Sequence, residues 1–143
     1  MTSPPWDVVY YDPPDPADSP IVFLDSCPKS VQAHMTAVLD AVAAAPPPQF
    51  SGGGYWEAMH GKMAGIFEVR KQGPKREQFR LFCILENSAD KTELEKTGLP
   101  GPAIAVITGM RKPWRTVFSE SDYDHVRELG ESYRNTFPRR IVT

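Results

Sequence analysis

Gly65–Leu85 reads GIFEVRKQGPKREQFRLFCIL. Two apolar runs, Ile66–Arg70 and Gln78–Leu85, flank a polar loop that carries Gly73 and Pro74. Neither a helix nor a continuous strand readily holds that Gly-Pro pair. Both runs are rich in β-branched, aromatic and aliphatic residues and too short for a typical helix, so they predict a β-hairpin. The hairpin also concentrates cations: Arg70, Lys71, Lys75, Arg76 and Arg80, against only Glu68 and Glu77. Arginine among core-forming residues is unfavourable unless it meets an anion. Alternation puts Glu68 and Arg70 on one face of the first strand, and Arg80, Phe82 and Ile84 on one face of the second. If Arg70 and Arg80 project to the same side, their planar donor forks suit a phosphate. Otherwise Glu68 and Arg70 form a surface pair and the loop cations are solvated.

Upstream, Trp6–Tyr11 (WDVVYY) predicts a strand with Trp6, Val8 and Tyr10 on one face. The stretch DPPDPADSP, within the Pro-rich loop 12–20, breaks regular structure, and Ile21–Leu24 is expected as a short apolar turn. Ser26-Cys27-Pro28 is expected to cap a helix whose Val31, Met35, Val38 and Val42 make one apolar stripe, ended by Pro46-Pro47-Pro48. His34 beside that stripe is a packing residue. Phe50–Lys62 is a glycine-rich approach to the hairpin.

Downstream, Glu86–Pro102 is a polar insertion with Ser88 as a candidate helix cap and Gly98 as its stop. Ala103–Met110 (AIAVITGM) is the most apolar strand and is expected in the sheet interior. It leads into Arg111-Lys112-Pro113-Trp114-Arg115. Ser119–Asp122 resembles a capping box, with Phe118 stapled to Tyr123, and Tyr123, Val126, Leu129, Tyr133 and Phe137 give the last helix its buried face. The whole predicts one small α+β domain over residues 1–143, with a mostly antiparallel sheet, an N-terminal helical segment and a C-terminal helix.

A chain of 143 residues, 41% hydrophobic and 24% charged, suits one soluble globule. No apolar run reaches the roughly 18–20 residues of a membrane span, and the N-terminus lacks the basic-then-apolar pattern of a secretory signal. With only Cys27 and Cys83, expected as buried thiols, the reading is a reduced, cytoplasmic protein. The net charge of −2 hides a basic middle: residues 1–61 carry −6, residues 62–115 carry +5, and the remainder −1. Such a pattern points to a local anion site. Trp114, between Lys112 and Arg115, either stacks a base or covers the core edge. Glu57 and His60 are candidate proton acceptors. No Cys or His pair stands at ligand spacing, so no metal is expected, and no glycine-rich phosphate loop or nucleophile elbow appears.

The run GIFEVRK…FRLFCIL, a strand ending in ITGMRKPWR and an amphipathic last helix resemble the RelE/ParE/HigB toxins of bacterial toxin–antitoxin pairs, in the phage-derived, HigB-like branch. The likeness covers roughly Tyr55–Phe137, with the helix at 28–45 in the expected earlier place. It implies a RelE-type fold and a ribosome-dependent endoribonuclease that cuts messenger RNA through the ribose 2′-hydroxyl, without cofactor or metal. By position it makes Arg80 the contact to the scissile phosphate, with Arg111 and Arg70 as further basic positions, and Glu57 the general base, with His60 as rival. Lys71, Lys75, Arg76, Lys112, Trp114, Arg115 and Tyr123 would bind RNA. The implied partners are the ribosome and a cognate antitoxin, expected as a helix-turn-helix protein. Glu68 stands where RelE-type members have a strand lysine, and Phe118 where they have a tyrosine. Two alternatives remain: a ParE-like inhibitor of gyrase that cuts no RNA, and a catalytically inactive phage-derived binding module.

Overall fold

Strand β1 (Asp7–Tyr11) has the alternation expected of it: Trp6, Val8 and Tyr10 pack on one side of the sheet, Val9 and Tyr11 on the other. The computed structural model describes residues 5–46 and 54–142. After β1 the proline-rich stretch is more ordered than its composition implies. Asp15 caps a 3-10 turn at Pro16–Asp18, and Ser19 caps helix α1 (Pro20–Ser26). Prolines are tolerated there because a helix's first turn has no use for the missing N–H. Ile21–Leu24 is therefore helical, a correction to the expected turn. Ser26 closes α1, its hydroxyl donating to the Phe23 carbonyl at 2.6 Å, instead of capping the next helix.

Helix α2 (Lys29–Ala44) begins at Pro28 without a side-chain cap. Its stripe of Val31, Met35, Val38 and Val42 is buried as predicted, with Leu39 added. Pro47 and Pro48, expected to end it, lie outside the described residues, as do Phe50–Gly53 of the glycine-rich approach. The approach contains a strand that has no sequence signature, β2 (Trp56–Ala58). The hairpin comes next, as β3 (Phe67–Gln72) and β4 (Gln78–Glu86). In the polar segment a short helix α3 (Lys91–Lys96) is capped by Asp90, not Ser88. Then come β5 (Ala103–Lys112), α4 (Glu120–Arg134) and β6 (Ile141–Val142). The Ser119–Asp122 capping box at α4 is present in both directions. Phe137 lies beyond the helix and is 53% exposed, so it is not part of the buried face.

The sheet order is β2-β3-β4-β5-β1-β6. Every neighbouring pair is antiparallel except β1 with β5, where Asp7 faces Ala103. The expected pairings of 66–70 with 79–86, and of 79–86 with 103–110, are present. This is a mixed α+β fold with β5 in the interior. Helices α1 and α2 cover one face, against Val69, Leu81, Cys83 and Val106. Helix α4 covers the other, against Phe82, Ile84, Ala105 and Ile107. Burial on both faces explains why AIAVI shows no polar alternation. Cys27 and Cys83 are buried free thiols.

The β4–β5 pairing carries one irregularity. Phe82 pairs with Thr108 but Cys83 with Val106, leaving Ile107 as an extra residue in β5. Such a bulge reverses the side-chain parity of the residues after it. Gly109 consequently faces α1, where an added Cβ would collide with the Phe23 ring. Phe23 is partly buried and packs beside Phe79, ring centroids 6.4 Å apart, so the ring must shift to admit a Cβ. Gly109→Ala should destabilise the fold by about 1–3 kcal/mol, read as a lower urea midpoint with unchanged slope. An unchanged midpoint would mean that Phe23 moves aside freely.

Candidate functional site

The hairpin register puts Arg70 directly opposite Arg80. It also sets Glu68 opposite Phe82, while β2 aligns Glu57 with Glu68. Alternation carries all four charged side chains to the α4 face, because Val69 and Leu81 are buried on the other. The groups that cover this part of the sheet are Phe118, just before α4, and Tyr123 in its first turn. Tyr123 meets Phe82 edge-on and Phe118 at a tilt, each with centroids 6.3 Å apart. The result is a half-covered cluster of two carboxylates and two guanidiniums.

Its members are held differently. The Arg80 side chain is 12% exposed, and its Nε lies 3.8 Å from Glu68 Oε2. Its terminal nitrogens donate to the Phe79 carbonyl at 3.0 Å and to Gln78 Oε1 at 2.8 Å. The guanidinium carbon lies 5.4 Å from the Phe118 ring centroid. Arg70 is more open; it donates to Glu57 Oε2 at 2.9 Å, and its Nε is 3.5 Å from Glu68 Oε1. Glu68 is buried between the two arginines, and its Oε2 accepts no hydrogen bond among the described residues. Burial raises the Glu68 pKa, the Arg80 and Arg70 charges oppose that rise, and Glu57 reinforces it. Burial likewise raises the Tyr123 phenol, with Glu68 adding to the effect, so the hydroxyl keeps its proton at neutral pH. A cleft of about 300 Å³ opens onto Arg70, Gln78 and Arg80. Chemically, the arrangement offers two donor forks side by side, a reachable carboxylate at Glu57 and an inner carboxylate that orients both forks.

Other residues expected at the site lie elsewhere. Arg111 does not join Arg70 and Arg80, because the β5 bulge turns it to the α1 face, opposite Phe79. There it grips Glu77 with two bonds of 2.8 Å and lies 4.9 Å from the Phe79 ring centroid. Lys112 pairs with Asp122 at 3.1 Å. Lys71 borders the same cleft but alternates to the other face of β3 from Arg70, its ammonium 5.8 Å from the Tyr55 ring centroid. Tyr123 packs on Phe82 within the cluster and is not a free platform for bases. His60 is exposed and makes no side-chain hydrogen bond or ion pair among the described residues. Arg76 and Arg115 both lie over the Trp114 ring where the β3–β4 turn meets the loop after β5, and Lys75 sits in the same turn. Glu68 is the functional candidate that sequence reasoning passed over, although its place between Phe67 and Val69 beside an arginine was the available signal.

Among the described residues no group of three or more His, Cys, Asp and Glu side chains is placed to hold a metal ion, and no helix is long and apolar enough to cross a membrane. No protein-family model, curated protein or solved structure matches this chain.

Proposed function

We propose that this chain is the toxin of a toxin–antitoxin pair and cuts messenger RNA on the ribosome without a metal ion. The observation that carries the reading is the cross-strand pair Arg70–Arg80 with the Glu68 carboxylate between them. A pair of preorganised forks can hold two phosphate oxygens and neutralise the charge that builds on them. In this reading Glu57 takes the proton from the ribose 2′-hydroxyl. The freed oxygen attacks the adjacent phosphorus, a 2′,3′-cyclic phosphate forms, and the P–O5′ bond breaks as the leaving 5′-oxygen takes a proton from water, while Glu57 later returns its proton to solvent. Glu57 is the better base because its side chain is 50% exposed, whereas that of Glu68 is 11% exposed. Glu68 is a positioning residue that holds both arginines. A strand, helices, antiparallel strands and a last helix in that order support the resemblance seen in the sequence, with β2, α3 and β6 in addition. In a cytoplasmic host such an enzyme needs an antitoxin to cover this face.

The charge balance of the cluster favours a second reading. Two carboxylates already offset two guanidiniums, as in a structural ion-pair network, and that fits an inactive binding module. The two readings separate on Glu57→Gln, which keeps the shape and removes the base. Cleavage of ribosome-bound message, read by mapping transcript ends after induction, should slow about 10²–10⁴-fold. His60→Gln should leave it unchanged. Message that stays intact under the unmodified chain would decide against the nuclease: without toxicity on induction it favours the binding module, and with toxicity the ParE-like inhibitor.

A further inference from the structure

Most cations of this chain stand beside an acid: Arg70, Arg80, Arg111, Lys112, Arg127 and Arg139 each pair with a carboxylate. The cations of the turn between β3 and β4 and of the loop after β5 do not: Lys75, Arg76 and Arg115, like Lys29, Lys71, Lys91 and Arg134, form no ion pair among the described residues. Lys75, Arg76 and Arg115 also hold left-handed backbone conformations, with φ of 57°, 58° and 65°. Side chains other than Gly and Asn rarely adopt that region, and such strain gathers at ligand clamps. The two loops meet around one indole. The guanidinium carbon of Arg76 lies 4.7 Å from the Trp114 ring centroid, and that of Arg115 lies 4.4 Å from it. Two like charges against one ring repel each other, and an anion between or beside them would relieve this. Trp114 itself is 44% exposed. Four residues on, Phe118 lies against Arg80, so one loop ties this tip to the arginine cluster.

We propose that the tip is a subsite for single-stranded RNA. An unpaired base stacks on the Trp114 indole after displacing a guanidinium, and Arg76, Arg115 and Lys75 hold the flanking phosphates. The subsite rests on the proposed RNA-cutting function but uses none of the residues of the Arg70–Arg80 cluster. Planar forks beside a π face match the two halves of a nucleotide. A duplex hides its base faces in the stack, so the ligand is single-stranded.

The test is fluorescence anisotropy of a labelled, unstructured RNA of about ten nucleotides binding to the full chain at several salt concentrations. Trp114→Ala should weaken binding roughly 5- to 150-fold, the loss of one stacked base, with the salt dependence unchanged. Trp114→Phe, which keeps a π face, should recover most of the affinity. The double change Arg76→Gln and Arg115→Gln should lower the slope of log affinity against log salt by about 1.4, since each phosphate contact on a single strand contributes about 0.7. Duplex RNA and inorganic polyphosphate should be indifferent to Trp114→Ala. Wild-type affinity in Trp114→Ala, an equal loss of polyphosphate binding, or no RNA binding by the unmodified chain would each overturn the proposal. Trp114-dependent binding without cleavage would overturn the nuclease reading alone, while Glu57-dependent cleavage with Trp114-independent binding would overturn the subsite alone.

Discussion

In the proposed reaction Arg80→Ala should slow RNA cleavage by about 10²–10³-fold, the usual loss on removing one preorganised donor to developing charge. The expectation comes from how Arg80 is held. Its donors are aimed by the Phe79 carbonyl and Gln78 Oε1, with the Glu68 carboxylate 3.8 Å from its Nε, before any substrate arrives. No reorganisation is then needed at the moment of reaction. Arg80→Lys should not restore the rate, because a single ammonium cannot keep those contacts and also offer a fork to phosphate. Arg80→Ala also strands the buried Glu68 carboxylate, so Arg80→Ala combined with Glu68→Gln and a thermal melt of each variant separate lost chemistry from lost fold. Arg111→Ala, on the opposite face, should cut at the unmodified rate. Cleavage that is undiminished in folded Arg80→Ala would remove this cluster from the reaction.

The second large effect concerns stability. Arg139→Ala should cost about 3–5 kcal/mol, the range for breaking a buried ion pair from one side. Arg139 and Glu86 have side chains only 8% and 10% exposed, with Nε and Oε2 2.9 Å apart. The Tyr133 hydroxyl donates to the same oxygen at 3.1 Å, and burial with Glu86 beside it holds that phenol in its protonated, donating form. Arg139 further donates to the Arg134 carbonyl at 2.7 Å and lies between the Tyr133 and Phe137 rings. It thereby ties the segment after α4 to the end of β4. Small domains have total stabilities of about 5–15 kcal/mol, so this change takes a large share. Urea unfolding measures it. Glu86→Gln combined with Arg139→Met should be much milder than Arg139→Ala, because no charge is left buried alone. A loss below about 1 kcal/mol in Arg139→Ala would show that water reaches Glu86 and that the pair is not desolvated.

The chain's own local chemistry determined a good deal of this. The 67–86 hairpin, the stripe of α2, the capped start of α4 and the apolar β5 each arise from periods and end signals within about a dozen neighbouring residues. That Glu68 shares a face with Arg70, and Arg80 with Phe82, comes from strand alternation alone. The tertiary structure decided the relations between elements. Strand β2 is three residues long, too short for any period, and exists because β3 offers it an edge. The parallel pairing of β1 with β5 joins positions about a hundred residues apart and has no local trace. Register set Arg70 against Arg80, and Glu57 against Glu68, so the cluster appears only once three strands are aligned. Arg111 shows the limit best. Strict alternation from Ile107 would have put it on the Arg80 face, but one extra residue at the bulge reverses the parity and sends it to Glu77. A bulge answers to how two packed faces fit together, and that fit is a property of the folded sheet and not of any one stretch of chain.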